Sequence, residues 1–243
     1  MLADPATSTR RERARAATLD EIKATALGLM REAGATDIRF TDIARVMGMT
    51  PPALYRYYAD RDALLTDLIT DAYVELGEQV AVASQGVPPR DFGGRWLQTA
   101  LAYRNWARSH PEQFALILGL PVAGYAPPEQ GPTTEAAQAA MGQLTDLFVS
   151  AARAGRLRKP LVREVSPVLV VCEAQKHPEM EGIVSPETFQ AMLQAWATLH
   201  GVVSLEAYGH FDWMEPAARD ALFFSTVSMA AKASGLPVPS KLT

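Results

Sequence analysis

The chain has 243 residues, 48% of them hydrophobic, with a net charge of −4 and one cysteine. That is enough apolar material for a small domain and a larger one, and a single thiol excludes an intramolecular disulfide. No apolar run approaches the roughly 18 residues that span a bilayer and the first residues lack a signal-type apolar core, so a cytoplasmic protein is expected.

Residues 1–17 read as a flexible basic arm. Arg10, Arg11, Arg13 and Arg15 stand against Glu12, a local balance of four minus one, or +3. Such a run is ordinarily a solvated tail; in front of a nucleic-acid reader, Arg11 and Arg13 become candidates for groove or phosphate contact. A first helix is expected from Thr18 to Ala33, with Ile22, Ala26, Leu29 and Met30 as its apolar stripe and Gly34 as its stop.

The stretch from Phe40 to Leu65 organises the rest. Thr41 is a candidate N-cap, Ile43, Ala44 and Met47 recur at helical spacing, and Gly48 supplies a left-handed turn. Thr50 is a second candidate cap, followed by Pro51 at the first helical position, where its missing amide costs nothing. Two helices joined by so short a glycine turn form a helix-turn-helix. In the second, expected from Pro51 to about Tyr58, Leu54 and Tyr58 suit the inner face. Ala53, Arg56 and Tyr57 point outward and Tyr55 sits at the boundary, a set able to approach and donate to phosphates or base edges. The plainer alternative is an aromatic packing cluster, against which the order of cap, turn and cap argues.

A connecting helix over 61–84 opens on acidic residues and carries a continuous amphipathic pattern. The break from Ser84 to Gly94 starts a second domain, 85–243. Helices are expected over Arg95–Ser109, Pro111–Gly119, Thr133–Gly155, Leu161–Lys176, Pro186–Tyr208 and Glu215–Ser234. No period of two survives, so the fold class is all-α: a three-helix reader over 18–60, the connecting helix, and a helical C-terminal domain.

Within that domain Trp96, Tyr103, Trp106, Phe114, Tyr125, Met141, Phe148 and Cys172 provide apolar walls, which suit a small-molecule cavity or a solid core equally. Cys172, in an apolar run, reads as a buried packing residue. Arg104, His110 and Glu173 are candidate polar contacts, and His200 is either a ligand contact or a hydrogen-bonded core histidine. Gly201 inside a helix implies close approach by another helix. The last two long helices, about 186–208 and 215–234, carry more apolar surface than one partner covers, with Leu222, Phe223, Val227, Ala230 and Ala231 on the final one. They are expected to build a two-fold homodimer through a four-helix bundle, which would present two readers to palindromic double-stranded DNA. His110, His177, His200 and His210 have no metal-ligand spacing, and there is no phosphate-cradling loop or nucleophile elbow. No catalytic residue, metal or cofactor is therefore expected.

Phe40 to Leu65 resembles the DNA-binding segment of TetR-type bacterial transcriptional regulators at Thr41, Ile43, Ala44, Gly48, Leu54, Tyr55, Tyr57, Tyr58, Arg61 and Leu64. It departs in having Tyr57 where histidine is common and Pro52-Ala53 where glycine-threonine is common, so a hydroxyl that often contacts DNA is missing. His110-Pro111-Glu112 and Trp196, Leu199, His200 and Gly201 are similar to marks of the subgroup with a tryptophan-histidine-glycine motif. The resemblance implies a sequence-specific regulator, most often a repressor. Thr41, Thr50, Pro51, Ala53, Tyr55, Arg56 and Tyr57 would lie at the DNA, and Arg61 would act as a phosphate clamp. It also implies a small apolar effector held among Trp96, Tyr103, Trp106, Phe114, Phe148, Glu173 and His200. The alternatives are a DNA-binding regulator without such an effector, and an α-helical enzyme or cofactor binder that keeps the reader as a relic.

Overall fold

The computed structural model describes residues 9–128, 130–176, 180 and 182–238, and within 173–176 the backbone alone. Residues 1–8 of the expected arm, the side chain of Glu173, and His177 lie outside the described residues. The helices are α1 (Arg10–Ala33), α2 (Phe40–Val46), α3 (Pro51–Leu54), α4 (Arg61–Gln85), α5 (Phe92–Ser109), α6 (Pro111–Leu118), α7 (Pro132–Arg153), α8 (Pro167–Lys176), α9 (Pro186–Ala207) and α10 (Pro216–Ser234), with no strand among the described residues.

Two compact units result, Met1–Tyr73 with His110–Glu135, and Val74–Ser109 with Ala136–Thr243. This division differs from the expected domain boundary at residue 85. The stretch containing α6 groups with the reader, and α4 is shared, its first half in one unit and its second half in the other.

The first unit closes on Ile22, Met30, Phe40, Ile43, Leu54, Tyr58, Leu64, Leu65, Leu68 and Leu116, all buried. α1 begins at Arg10, not Thr18, so the expected flexible arm is helical over its described part. The cause is a capping box: Thr9 Oγ1 accepts from the Glu12 amide at 3.2 Å and Glu12 Oε2 accepts from the Thr9 amide at 2.7 Å. Gly34, at φ +62°, closes α1 where expected. The buried carboxylate of Glu112 on α6 accepts two hydrogen bonds from Arg31 on α1, and Tyr73 Oη donates to the Ile117 carbonyl at 3.0 Å. These bonds fasten α6 within the first unit.

The second unit is centred on α5, α9 and α10. Trp96, Trp106, Phe148, Leu199, Val203, Phe223 and Val227 are buried, and Trp96 Nε1 donates to the Val227 carbonyl at 2.9 Å. Arg104, buried on α5, makes a bidentate pair with Glu206 of α9 at 2.6 and 2.7 Å and reaches Asp220 of α10 at 2.8 Å. Its guanidinium carbon lies 4.4 Å from the centre of the Phe223 ring. Burial opposes the charge on Arg104, but the carboxylates outweigh it and raise its pKa above the ordinary value. Arg104 is therefore a structural tie rather than the ligand contact expected. The end of α10 is held by a backbone strap, with the Arg158 and Leu161 amides each donating at 2.8 Å to the Gly235 and Ala233 carbonyls.

One expectation in this unit fails, and another is not met within the chain. Cys172 is exposed, not buried, and on the same helix Val168, Val170 and Val171 also face solvent, so its apolar run is not packed into this chain's core. Gly201 has no other described atom within 4 Å of where a Cβ would stand, so no helix of the same chain approaches it.

Candidate nucleic-acid interface and effector cavity

The reader is built by a few local devices. Gly48 sits at φ +64°, the left-handed conformation a residue without Cβ enters at little cost, and its turn ends α2. Thr50 is the N-cap residue of α3 in extended conformation, with Pro51 in the first turn, although its hydroxyl makes no capping bond. At α2 the expectation is corrected: Arg39 is the N-cap residue and Thr41 lies inside the helix, since Phe40 is drawn into the core. α3 is also shorter than expected. It ends at Leu54, and Tyr55, Arg56 and Tyr57 form the turn that follows.

Burial separates the two sides of this rod. Leu54 is 0% and Tyr58 5% exposed, and the Tyr58 hydroxyl donates to Asp67 at 2.9 Å. Burial first, and Asp67 second, push the Tyr58 phenol well above its usual range, so it stays protonated. On the other side Tyr55 is 56% exposed, with its ring centre 5.2 Å from that of Phe40. Thr41, Thr50, Pro51 and Arg56 are exposed, and Ala53 and Tyr57 half-buried. Arg11 and Arg13 are exposed on the first turns of α1.

Arg61 does not have the environment of a free phosphate clamp. It donates to Asp37 at 2.8 Å and to the carbonyls of Ile38 and Ala123 at 3.2 and 3.3 Å, so its donors are engaged by neighbouring groups of the first unit. Nor was Arg15 singled out by its place in the sequence, yet its guanidinium carbon lies 5.1 Å from the centre of the Tyr57 ring and its Nη1 donates to the Arg56 carbonyl at 3.1 Å. No pattern links residues so far apart; only the capping box at Thr9-x-x-Glu12 hinted that residue 15 would sit on a helix.

The expected effector residues are dispersed. Trp96, Trp106 and Phe148 are sealed in the second unit's core, Phe114 is buried in the first unit, and half-buried Tyr125 of that unit shares a hydrogen bond with Thr66 at 3.1 Å. Tyr103 does line a cavity within the second unit, together with Leu76, Thr99, Met141, Gln143 and Trp196. The Tyr103 hydroxyl lies 2.8 Å from His200 Nδ1, and the His200 ring stacks on Trp196 with centres 5.4 Å apart at 20°. Burial lowers the His200 pKa, which keeps the imidazole neutral at pH 7. The cleft encloses about 380 Å³ when the part open to solvent is counted, but only about 30 Å³ admits the centre of a water molecule. Among the described residues, no three His, Cys, Asp or Glu side chains are placed to hold a metal ion, and no helix is long and apolar enough to cross a membrane.

A glycine-turned pair of helices with a buried inner face and an exposed aromatic and basic outer face, in a chain whose second unit is all-helical among the described residues, defines a helix-turn-helix DNA-binding regulator. Residues 96–230 match the family described as tetracyclin repressor-like, C-terminal domain. The chain is 32% identical over 180 residues to the HTH-type transcriptional regulator Rv1816 of Mycobacterium tuberculosis (strain ATCC 25618 / H37Rv), covering 73% of this chain and 75% of that protein. The same figures hold for the HTH-type transcriptional regulator Mb1846 of Mycobacterium bovis. Among solved structures, SCO4313 superposes with a TM-score of 0.70 at 31% identity, over 91% of this chain and 98% of that one. A protein from Rhodococcus sp. RHA1 shares the fold, with a TM-score of 0.60 at 21% identity over 92% and 98% of the two chains. The chain belongs to the TetR family of transcriptional regulators, whose members bind DNA and dimerise. Its relatives are regulators rather than enzymes.

Proposed function

We propose that this protein is a cytoplasmic, dimeric repressor that reads a palindromic operator with the outer side of α3 and the turn after it. One observation carries the reading: Leu54 and Tyr58 are buried while Tyr55 and Arg56, between them, face solvent. Tyr55, Arg56, Tyr57 and Ala53 address the duplex; Thr41, Thr50, Pro51, Arg11 and Arg13 flank them. Arg61 supports the reader instead. The dimer forms through α9 and α10. Leu193 and Leu205 on α9, Tyr208 at its C-cap and Met229 on α10 are exposed, and Gly201 lies half-buried with open space above it, as a second copy's helix would require. Two readers about one DNA turn, roughly 34 Å, apart then engage two half-sites.

The effector in this reading is a small apolar molecule entering beside Tyr103 and Trp196 in the second unit, with the His200 contact passed through Tyr103. It releases DNA only if it binds the released conformation more tightly, by about 1–3 kcal/mol. The narrowness of the cavity favours a second reading, in which DNA binding is not ligand-controlled. A thermal-shift screen of neutral apolar compounds separates the two: stabilisation that Tyr103→Ala abolishes supports the effector, and none across a broad collection supports the second reading.

Selection of duplexes from a randomised pool tests the DNA assignment. Tyr55→Ala and Arg56→Ala should each weaken binding to the selected duplex by about tenfold or more, with binding falling steeply as salt rises. Unchanged affinity in both would refute the assigned reading face.

A further inference from the structure

We infer that Arg15 of α1 is a positioning residue for the DNA reader: it fixes Tyr57 from behind without touching DNA. The inference rests on the DNA-binding reading above and adds to it a residue outside the helix-turn-helix. α3 contains four residues, too few to hold their own shape, and the turn after it is closed by weak local bonds, Tyr57 N to Leu54 O at 2.9 Å and Arg56 N to Ala53 O at 3.3 Å. Tyr57 is half-buried against the first unit's core, and its ring calls for a restraint beyond what the turn's own backbone bonds give.

Arg15 supplies that restraint from 41 residues away. Its guanidinium face lies over the Tyr57 ring at 5.1 Å, while Nη1, in the plane of the same group, donates to the Arg56 carbonyl at 3.1 Å. A guanidinium can stack with its planar face and donate with its edge at once; an ammonium has no planar face to stack and cannot reproduce this geometry. Arg15 therefore holds both the backbone and the ring of the turn, and the capping box at Thr9 and Glu12 keeps α1 wound far enough back to carry it. The ring and the carbonyl are both neutral and leave the positive charge in place, but they engage the face and one edge of the guanidinium, so the group acts on the duplex through Tyr57.

The experiment uses the full-length protein and a duplex that the wild type selects from a randomised pool. Arg15→Lys, Arg15→Ala, Tyr57→Ala and the double variant Arg15→Ala/Tyr57→Ala are compared by dissociation constant over a series of salt concentrations. Each Arg15 variant should bind about tenfold more weakly per half-site, from the loss of one stacked cation and one hydrogen bond. The slope of affinity against salt should not change, the melting temperature should stay within about 2 °C of wild type, and Arg15→Ala should cost clearly less once Tyr57 is alanine, since only the bond to the Arg56 carbonyl is then left to lose. A salt slope reduced by about one per half-site, with the loss undiminished in the Tyr57→Ala background, would make Arg15 a direct phosphate contact and overturn the inference. So would an Arg15→Lys variant that binds like wild type. Failure of the wild type to select any duplex would instead sink the DNA reading, and the inference with it.

Discussion

Replacing Arg104 by methionine tests whether the second unit is held by its buried ion pair. The substitution keeps an unbranched chain against Phe223 but removes the cation, leaving Glu206, with a side chain 8% exposed, facing an apolar wall. Breaking a buried pair in this way costs about 3–5 kcal/mol, because one charge stays buried without its partner. The contact to Asp220 adds little, since that side chain is 52% exposed and its charge is screened by water. At about 2–4 °C per kcal/mol for a chain of this size, the melting temperature should fall by roughly 6–20 °C. Arg104→Met/Glu206→Met should recover most of the loss, because two apolar side chains fill the same volume with no charge to desolvate. Thermal and urea unfolding at one fixed protomer concentration measure both, since dimerisation makes stability concentration-dependent. If Arg104→Met unfolds within about 1 kcal/mol of wild type, or the double variant is no better than the single, the pair is not what holds α5 to α9.

Two glycines at positive φ should respond differently to alanine. Gly48, at +64°, has open space around it, so Gly48→Ala costs only the strain of the left-handed conformation, about 1–2 kcal/mol; Gly235, at +85°, would press a Cβ against the Arg158 carbonyl and lose the strap as well, so Gly235→Ala should unfold at clearly lower urea. His200 has a pKa lowered by burial, so the unfolded chain binds a proton that the folded chain resists; stability should hold above pH 6.5 and decline as pH falls below it, and His200→Gln should flatten that part of a melting-temperature profile. Leu54→Ala empties a fully buried site and should cost about 2–5 kcal/mol in the first unit while abolishing DNA binding in a shift assay.

What the sequence determined by itself was whatever acts within a few residues. Gly48 at positive φ, Pro51 opening α3, and the four-residue spacing that buries Leu54 and Tyr58 while Tyr55 and Arg56 stay out all follow from local backbone preference and helical period. The helical character of the second unit was legible for the same reason. Tertiary structure decided what lies across a gap in sequence. Trp96, Trp106, Phe114 and Phe148 look alike in a helical pattern, and only the packing of distant helices seals them in core while leaving Tyr103 on a cavity wall. Arg61 and Arg15 are both basic residues beside a reader; the chain pairs one with Asp37 and lays the other over Tyr57. Hydrophobic burial and charge pairing depend on which surfaces meet in space, and no periodicity within one helix carries that information.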